Sequence, residues 1–278
     1  MDLRDLTTRV SHLAFDAGEH ALQDQVNPHD LKYRVQPKSE QRFTSEVDTR
    51  LMRFCRDGIS KIDPADGFWE DEGSDREPNS RYWCIGNIDG AINYVRNMAE
   101  WAVTFTLFKI GKDGVPSPII GVVHAPALGL TYLAAQGQGA IRIRRTPIGS
   151  KQEKIIPSTT DSLDGSVVSF GMSYFPRESK RALRTVAAMA GRPADIKRVG
   201  PTSLDLCKVA DGTYDAYFEP KLHSWDIPAV SAGTVVVWES QGKLNQWNGN
   251  PIDWGRDNDI VATNGLIDDD LKPYLNQD

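Results

Sequence analysis

The sequence predicts a mixed α+β/α/β protein, with two sheets and helices packed around them. Three observations lead there. Residues 2–25 and 44–62 repeat apolar side chains every three or four positions, the mark of amphipathic helices. Residues 102–143 break into short β-rich runs divided by Gly and Pro. Beyond residue 160, strand-like and helix-like segments alternate, which is the pattern of a layered α/β unit.

Taken in order, Leu3, Leu6, Val10, Leu13, Ala14, Ala17 and Ala21 line one helix face. The polar stretch Asn27 to Arg42, with Pro28 and Pro37, reads as a long loop. Val47, Leu51, Phe54, Cys55 and Ile59 mark a second helix, with Ser45 as its cap and Asp48 in its first turn. Phe68-Trp69 and Trp83–Ile85 read as short strands, followed by Ala102–Lys109, Gly121–His124, Thr131–Ala135 and Gly137–Ile143. His124, alone at a strand end, reads as a core or edge residue. Thr146 to Thr160 is polar, holds Pro147 and Pro157, and is the expected boundary between halves 1–145 and 146–278. Strands follow at 166–170, 196–199, 216–218, 243–244 and 260–262, with helices at 176–190, 203–210, 227–238 and 269–275. Asp205 reads as a helix-surface acid and Asp215 as a turn acid.

With 278 residues, 40% of them apolar, the chain has material for a full core. A net charge of −6 with both signs interspersed argues against a nucleic-acid or membrane surface. Cys55, Cys84 and Cys207 have no metal-ligand or CxxC spacing and read as reduced core residues. No apolar run approaches the roughly 20 residues of a membrane helix, so a cytoplasmic location is expected.

Three acidic spots carry the chemistry. The Trp83–Ile85 run ends in Gly86-Asn87-Ile88-Asp89-Gly90, where an acid leaving a strand is free to meet a ligand or metal; the same residues also suit a plain polar turn. Asp71 and Glu72 follow Phe68-Trp69, and Asp226 lies in His223-Ser224-Trp225-Asp226-Ile227-Pro228-Ala229. Carboxylates far apart in sequence, each beside an aromatic anchor, suit hard cations such as Mg²⁺.

With these motifs together the chain resembles the inositol monophosphatase family. That family's Asp-Pro-Ile-Asp-Gly-Thr-x-Asn-Phe corresponds to Gly86-Asn87-Ile88-Asp89-Gly90-Ala91-Ile92-Asn93-Tyr94. Its Glu-Glu pair corresponds to Asp71-Glu72, its Trp-Asp to Trp225-Asp226, and its Thr-x-x-Asp to Ser45-Glu46-Val47-Asp48. The resemblance implies an α-β-α-β-α layered sandwich and Mg²⁺-dependent hydrolysis of a phosphate monoester by metal-activated water. It implies catalytic roles for Asp48, Asp71 and Glu72, and metal ligation by Asp71, Ile88, Asp89 and Asp226. Substrate contacts are implied at Gly90, Ala91, Gly200, Thr202 and Glu219, and the helix start at Gly200–Ser203 offers N–H groups to a hydroxyl or an anion.

The chain also departs from the pattern. Gly86 stands where the family has an acid bridging two metals, Asn87 replaces Pro, and Ala91 replaces the Thr that orients the attacking water. Fewer or weaker Mg²⁺ sites are therefore expected. The function implied is a weak or altered hydrolase of a small sugar or inositol phosphate. The alternatives are a catalytically impaired binding or regulatory protein, or an enzyme repurposed for a specialised metabolite. A homodimer is expected from the resemblance, with a small-molecule phosphate ester as partner. Because Asp89 fixes the register of its turn, Gly86→Asp with Ala91→Thr is expected to rebuild the nucleophile side, unless Gly86 needs a positive φ.

Overall fold

A computed structural model describes residues 2–26, 34–35, 43–44, 46–71, 76–173 and 175–275. Helices α1 (Leu3–Val26) and α2 (Glu46–Ile62) form where the apolar spacing places them. Their stripes, among them Leu6, Val10, Val47, Leu51 and Ile59, are buried against one face of a seven-stranded sheet. A two-residue pair, β1 (Arg34–Val35) and β2 (Phe43–Thr44), lies between the two helices in sequence.

The large sheet runs in chain order: β3 (Gly67–Phe68), β4 (Arg81–Asp89), β5 (Ala102–Ile110), β6 (Pro116–Ala125), β7 (Leu130–Ala135), β8 (Ala140–Thr146) and β9 (Gly149–Lys154). All neighbours are antiparallel except β3 and β4. A five-residue helix, α3 (Ala91–Val95), follows β4. In β5, Val103, Phe105 and Leu107 pack toward α1 and α2, while Ala102 and Phe108 pack on the opposite side. Burial on both faces explains why this strand reads as a continuous apolar run.

The second sheet orders as β11 (Asp195–Lys197), β10 (Val167–Phe170), β12 (Ala216–Leu222), β14 (Asn258–Thr263), β13 (Lys243–Gln246), with β10 parallel to both neighbours. Helices α5 (Thr202–Ala210) and α6 (Ile227–Glu239) lie between the two sheets, and α4 (Pro176–Ala188) and α7 (Asp268–Leu275) cover the outer face of the second. The layers therefore run α-β-α-β-α, as the family resemblance implies. Among the described residues no helix is long and apolar enough to cross a membrane.

Three elements differ from expectation. The stretch Asn27–Arg42, which reads as a loop, contains β1. The polar stretch 146–160 contains β9, an edge strand paired with β8, and α3 follows the turn read at Asn87–Gly90, where no helix is expected.

Helix α6 is almost wholly buried, as a helix between two layers must be. Its face at Pro228, Ser231, Ala232 and Val235 sits directly on the large sheet. Thr104 Oγ1 donates to Pro228 O at 3.1 Å, and Ser231 Oγ donates to Thr106 Oγ1 at 2.8 Å. At Gly121 the helix comes so near that a Cβ there would run into Ala232 O. Its other end is held by Glu239, whose carboxylate accepts three N–H groups from the β7–β8 turn: Gly137 at 2.9 Å, Gln138 at 3.0 Å and Gly139 at 2.8 Å. Successive N–H groups converging on one anion form a strong clamp. Glu239→Ala is expected to lower the unfolding free energy by about 1–3 kcal/mol, measured by urea denaturation. A loss near zero would mean that the clamp does not hold the helix end.

Candidate active site

Asp89 reaches the site because β4 is irregular. Gly86 pairs with Thr104 and Asp89 with Ala102, so β4 spends one more residue than β5 over this interval. Side chains alternate along a strand, so without the extra residue Gly86 and Asp89 would point to opposite faces. The bulge returns Asp89 to Gly86's face and leaves Ile88 packed on the α1–α2 side. On that face Asp89 Oδ2 accepts the Ser203 N–H at 2.8 Å. Helix α5 has Pro201 at its N-cap and no side-chain cap of its own. Asp89 supplies the missing acceptor from a distant strand. Burial pushes its carboxyl above the ordinary range, and hydrogen bonds from Ser203, Gly90 and Thr202 oppose the rise.

Gly90 then turns the chain with φ 87°, where a Cβ would meet Pro201 Cγ at 2.8 Å. Asn93 fastens the turn from the other side, donating to Glu100 O at 2.7 Å and Val199 O at 3.0 Å. Ala91 opens α3.

Beside α5, Glu219 on β12 is buried and accepts hydrogen bonds from Tyr217 Oη at 2.6 Å and Thr202 Oγ1 at 3.2 Å. Burial pushes its carboxyl up, against the Tyr217 and Thr202 donors. Gly200 precedes the helix with φ 134°. The structure thus brings Asp89, Gly90, Gly200, Thr202 and Glu219 together around the start of α5. The helix start is less open than its sequence implies, because the Ser203 N–H is already bonded to Asp89.

Asp205 corrects the sequence reading. It is 1% exposed, not on a helix surface, and neither carboxylate oxygen has a hydrogen-bond partner among the described residues. Burial pushes it up to about 7, with Asp89 and Glu219 adding to the rise and Lys208 and Arg198 opposing it. Asp215 is a turn acid as expected, buried and accepting Val167 N at 2.7 Å and Ser158 Oγ at 2.5 Å. His124 is a core residue as expected, bonded through Nδ1 to Thr131 Oγ1 at 2.8 Å and lowered to about 4, chiefly by burial.

Asp226 closes the short turn before α6. Its Oδ2 accepts the His223 N–H at 2.9 Å, and its own N–H donates to His223 O at 3.0 Å. The turn is buttressed by His223, which stacks on Trp225 at 4.3 Å and bonds through Nε2 to Glu178 Oε2 at 2.9 Å. Glu178 also meets Lys221 Nζ at 3.3 Å. The Glu178–His223 pair does not stand out in sequence, because α4 and the turn after β12 bring the two together from 45 residues apart.

The remaining acids lie elsewhere. Asp71 is exposed and paired with Arg56 of α2. Asp48 is half-buried in the first turn of α2. Glu72, Ser45 and most of the Asn27–Arg42 stretch lie outside the described residues, as does the side chain of Asn87. A carboxyl missed in sequence, Glu70, lies near Cys84 Sγ at 3.7 Å and is raised by burial.

Two sheets in an α-β-α-β-α sandwich, with acids delivered by a strand end and a helix start, define the class of protein. Residues 2–278 match the Inositol monophosphatase family, and the chain belongs to it. It is similar to the histidinol-phosphatase of Streptomyces coelicolor, 28% identical over 270 residues that cover 97% of this chain and 96% of that protein. It is also similar to the fructose-1,6-bisphosphatase/inositol-1-monophosphatase of Thermotoga maritima, 30% identical over 239 residues, 84% and 83% of the two chains. Among solved structures, a Thermotoga maritima IMPase superposes with a TM-score of 0.80 at 24% identity, covering 99% and 97% of the chains. The extragenic suppressor protein suhB of Bartonella henselae gives 0.81 at 22%, covering 99% and 98%.

The family hydrolyses phosphate monoesters and is generally Mg²⁺-dependent. Among the described residues, the acids of the family pattern are partly engaged by protein partners, and one is absent. One oxygen of Asp89 is held by α5 and one of Asp226 by His223, Asp71 is turned to Arg56, and position 86 has no side chain. No group of three or more His, Cys, Asp or Glu among the described residues is placed to hold a metal ion.

The buried Asp205 gives a pH test. Its carboxyl rises from 3.8 to about 7 on folding, so the folded protein keeps a proton that the unfolded chain gives up near 3.8. The stability that goes with this proton is full below the unfolded value and is lost as pH rises through about 7. Asp205→Asn cannot ionise. Its urea midpoint is therefore expected to gain on the wild type between about pH 4 and pH 7 and to gain no further above that. A difference that stays constant with pH would show that Asp205 is ionised throughout.

Proposed function

We propose that the chain binds a small sugar or inositol phosphate monoester between α5 and the Asp226 turn and hydrolyses it slowly, with fewer or weaker Mg²⁺ sites than its relatives. The observation that carries this reading is the grouping of Asp89, Thr202 and Glu219 at the start of α5. Glu219 is an acceptor for a substrate hydroxyl, already oriented by Tyr217 and Thr202. The N–H groups of Gly90 and Ala91 are the donors proposed for the ester side. Asp226, held in place by His223, would be a ligand for a Mg²⁺ that offsets the negative charge of the ester and its transition state. Ala91 has no hydroxyl to orient a water, and this omission supports slow turnover. A homodimer is part of the proposal and is checked by light scattering.

A second reading, a binding or regulatory member without turnover, is favoured by the engagement of these acids with protein partners and by the acid absent at position 86. One relative, from Xylella fastidiosa, is named a Nus factor, SuhB; it is 30% identical over 215 residues. A phosphate-release screen over many monoesters, with Mg²⁺ and Mn²⁺ raised to millimolar levels, separates the two. Release that saturates with one polyol phosphate supports the hydrolase, and none from any ester supports the second reading.

Within the hydrolase reading, Asp226→Asn is expected to abolish release by removing a charged ligand for the Mg²⁺ that would stabilise the transition state. Glu219→Gln is expected to raise KM several-fold with a smaller change in kcat, because the group it binds does not react. Equal losses of kcat in both variants would contradict these roles.

A further inference from the structure

Gly86 differs from a family member's acid in more than its missing carboxylate. Its backbone is not among those with positive φ, so the turn does not require glycine for conformational reasons. Space is the obstacle. A Cβ built on Gly86 would fall inside contact distance of Thr104 Oγ1, and would lie 3.1 Å from Pro228 Cβ. Thr104 is fully buried, and its Oγ1 is committed to Pro228 O at 3.1 Å, which fixes its rotamer. Pro228 is fixed in turn, because the same helix face is pinned by Ser231 on Thr106 and by Ala232 over Gly121. Neither neighbour is the loose end of a flexible side chain.

We propose that in this chain the close seating of α6 on Gly86 stands in place of the acid that the family signature carries there. Thr104 and Pro228 fill its volume, exclude a cation held from this position, and keep the Asp226 turn against β4 without one. Asp226 is two residues before Pro228, so the contact that closes position 86 also sets where this acid begins α6. Gly86 and Thr104 are positioning residues that act through Pro228. The expectation that Gly86→Asp with Ala91→Thr suffices to rebuild the site is revised accordingly: Thr104 must give way as well. The inference goes beyond the hydrolase reading and holds whether or not the cleft turns over an ester.

The test is a double-mutant cycle on the full chain, read by thermal melting and by Mg²⁺ titration calorimetry. Gly86→Ala and Gly86→Asp are each expected to lower Tm by roughly 3–10 °C, since both drive atoms into a filled space. Thr104→Ala removes the crowding atom, so adding it to either Gly86 variant is expected to recover at least half of that drop. Gly86→Asp/Thr104→Ala is expected to bind one Mg²⁺ more than the wild type, and Gly86→Asp alone none. If the Asp variants do not fold, the Gly86→Ala and Thr104→Ala cycle decides through Tm alone. Additive losses in that cycle, a Gly86→Ala variant as stable as wild type, or an added Mg²⁺ in Gly86→Asp alone would overturn the proposal. Failure of the hydrolase reading would leave all of these readouts unchanged.

Discussion

One extra residue in β4 decides what the cleft contains. Between Gly86 and Asp89 the strand spends three steps where β5 spends two, from Thr104 to Ala102. Because both faces of the sheet are buried, a slip of one residue anywhere else would send a row of side chains to the wrong side. Here the slip is confined to the strand's last turn, where it costs little pairing. Ile88 goes to the α1–α2 side and Asp89 to the α5 side. Remove the bulge and Asp89 would face the helices of the first layer, leaving α5 without an acceptor at its N-terminus.

The second constraint is how near α6 lies to the sheet. Glycine at positions 86 and 121 lets the helix backbone descend onto β4 and β6, and Thr104 and Thr106 hold it by hydroxyl hydrogen bonds. A helix seated this closely has little freedom to shift. The Asp226 turn therefore inherits its position from packing below it and from the His223–Glu178 buttress beside it. In such an arrangement the acid's place is set before any ligand arrives.

Much of this was legible in the sequence. The apolar period of residues 3–26 and 46–62 gave both outer helices, and the β-rich runs from 102 onward gave the large sheet. The motifs around Asp89 and Asp226 carried the resemblance to the family to which the chain belongs. Other features depend on contacts that no local pattern carries. Strand β9, Gly149 to Lys154, is mostly Ser, Lys, Gln and Glu, because an exposed edge is protected by charge; charge is also what makes it read as a loop. Helix α3 is too short for a period, and Asn93 secures it to carbonyls that include one more than a hundred residues away. Asp205 looked solvent-facing because one polar residue among apolar ones usually is. It is buried because α5, lying between two sheets, has no solvent face to offer. Gly86 could be read as a missing acid, but not as a filled space, since Thr104 and Pro228 meet it only in the fold.

The electrostatics of the α5 start then bear on what the cleft can receive. A helix N-terminus attracts negative charge, by typically ~0.3–1 kcal/mol and more when partly buried. In this protein that attraction is already taken up by Asp89, whose carboxylate accepts the Ser203 N–H. Asp89 adds to the rise of both the Asp205 and the Glu219 carboxyls, and Glu219 adds to that of Asp205, while Arg198 opposes both and Lys208 opposes Asp205. A phosphate brought against this end of α5 would meet buried carboxyl groups with the helix dipole already spent. A neutral hydroxyl would not pay that repulsion, and it finds acceptors there in Glu219 and Thr202. The start of α5 thus favours a neutral hydroxyl over a second anion.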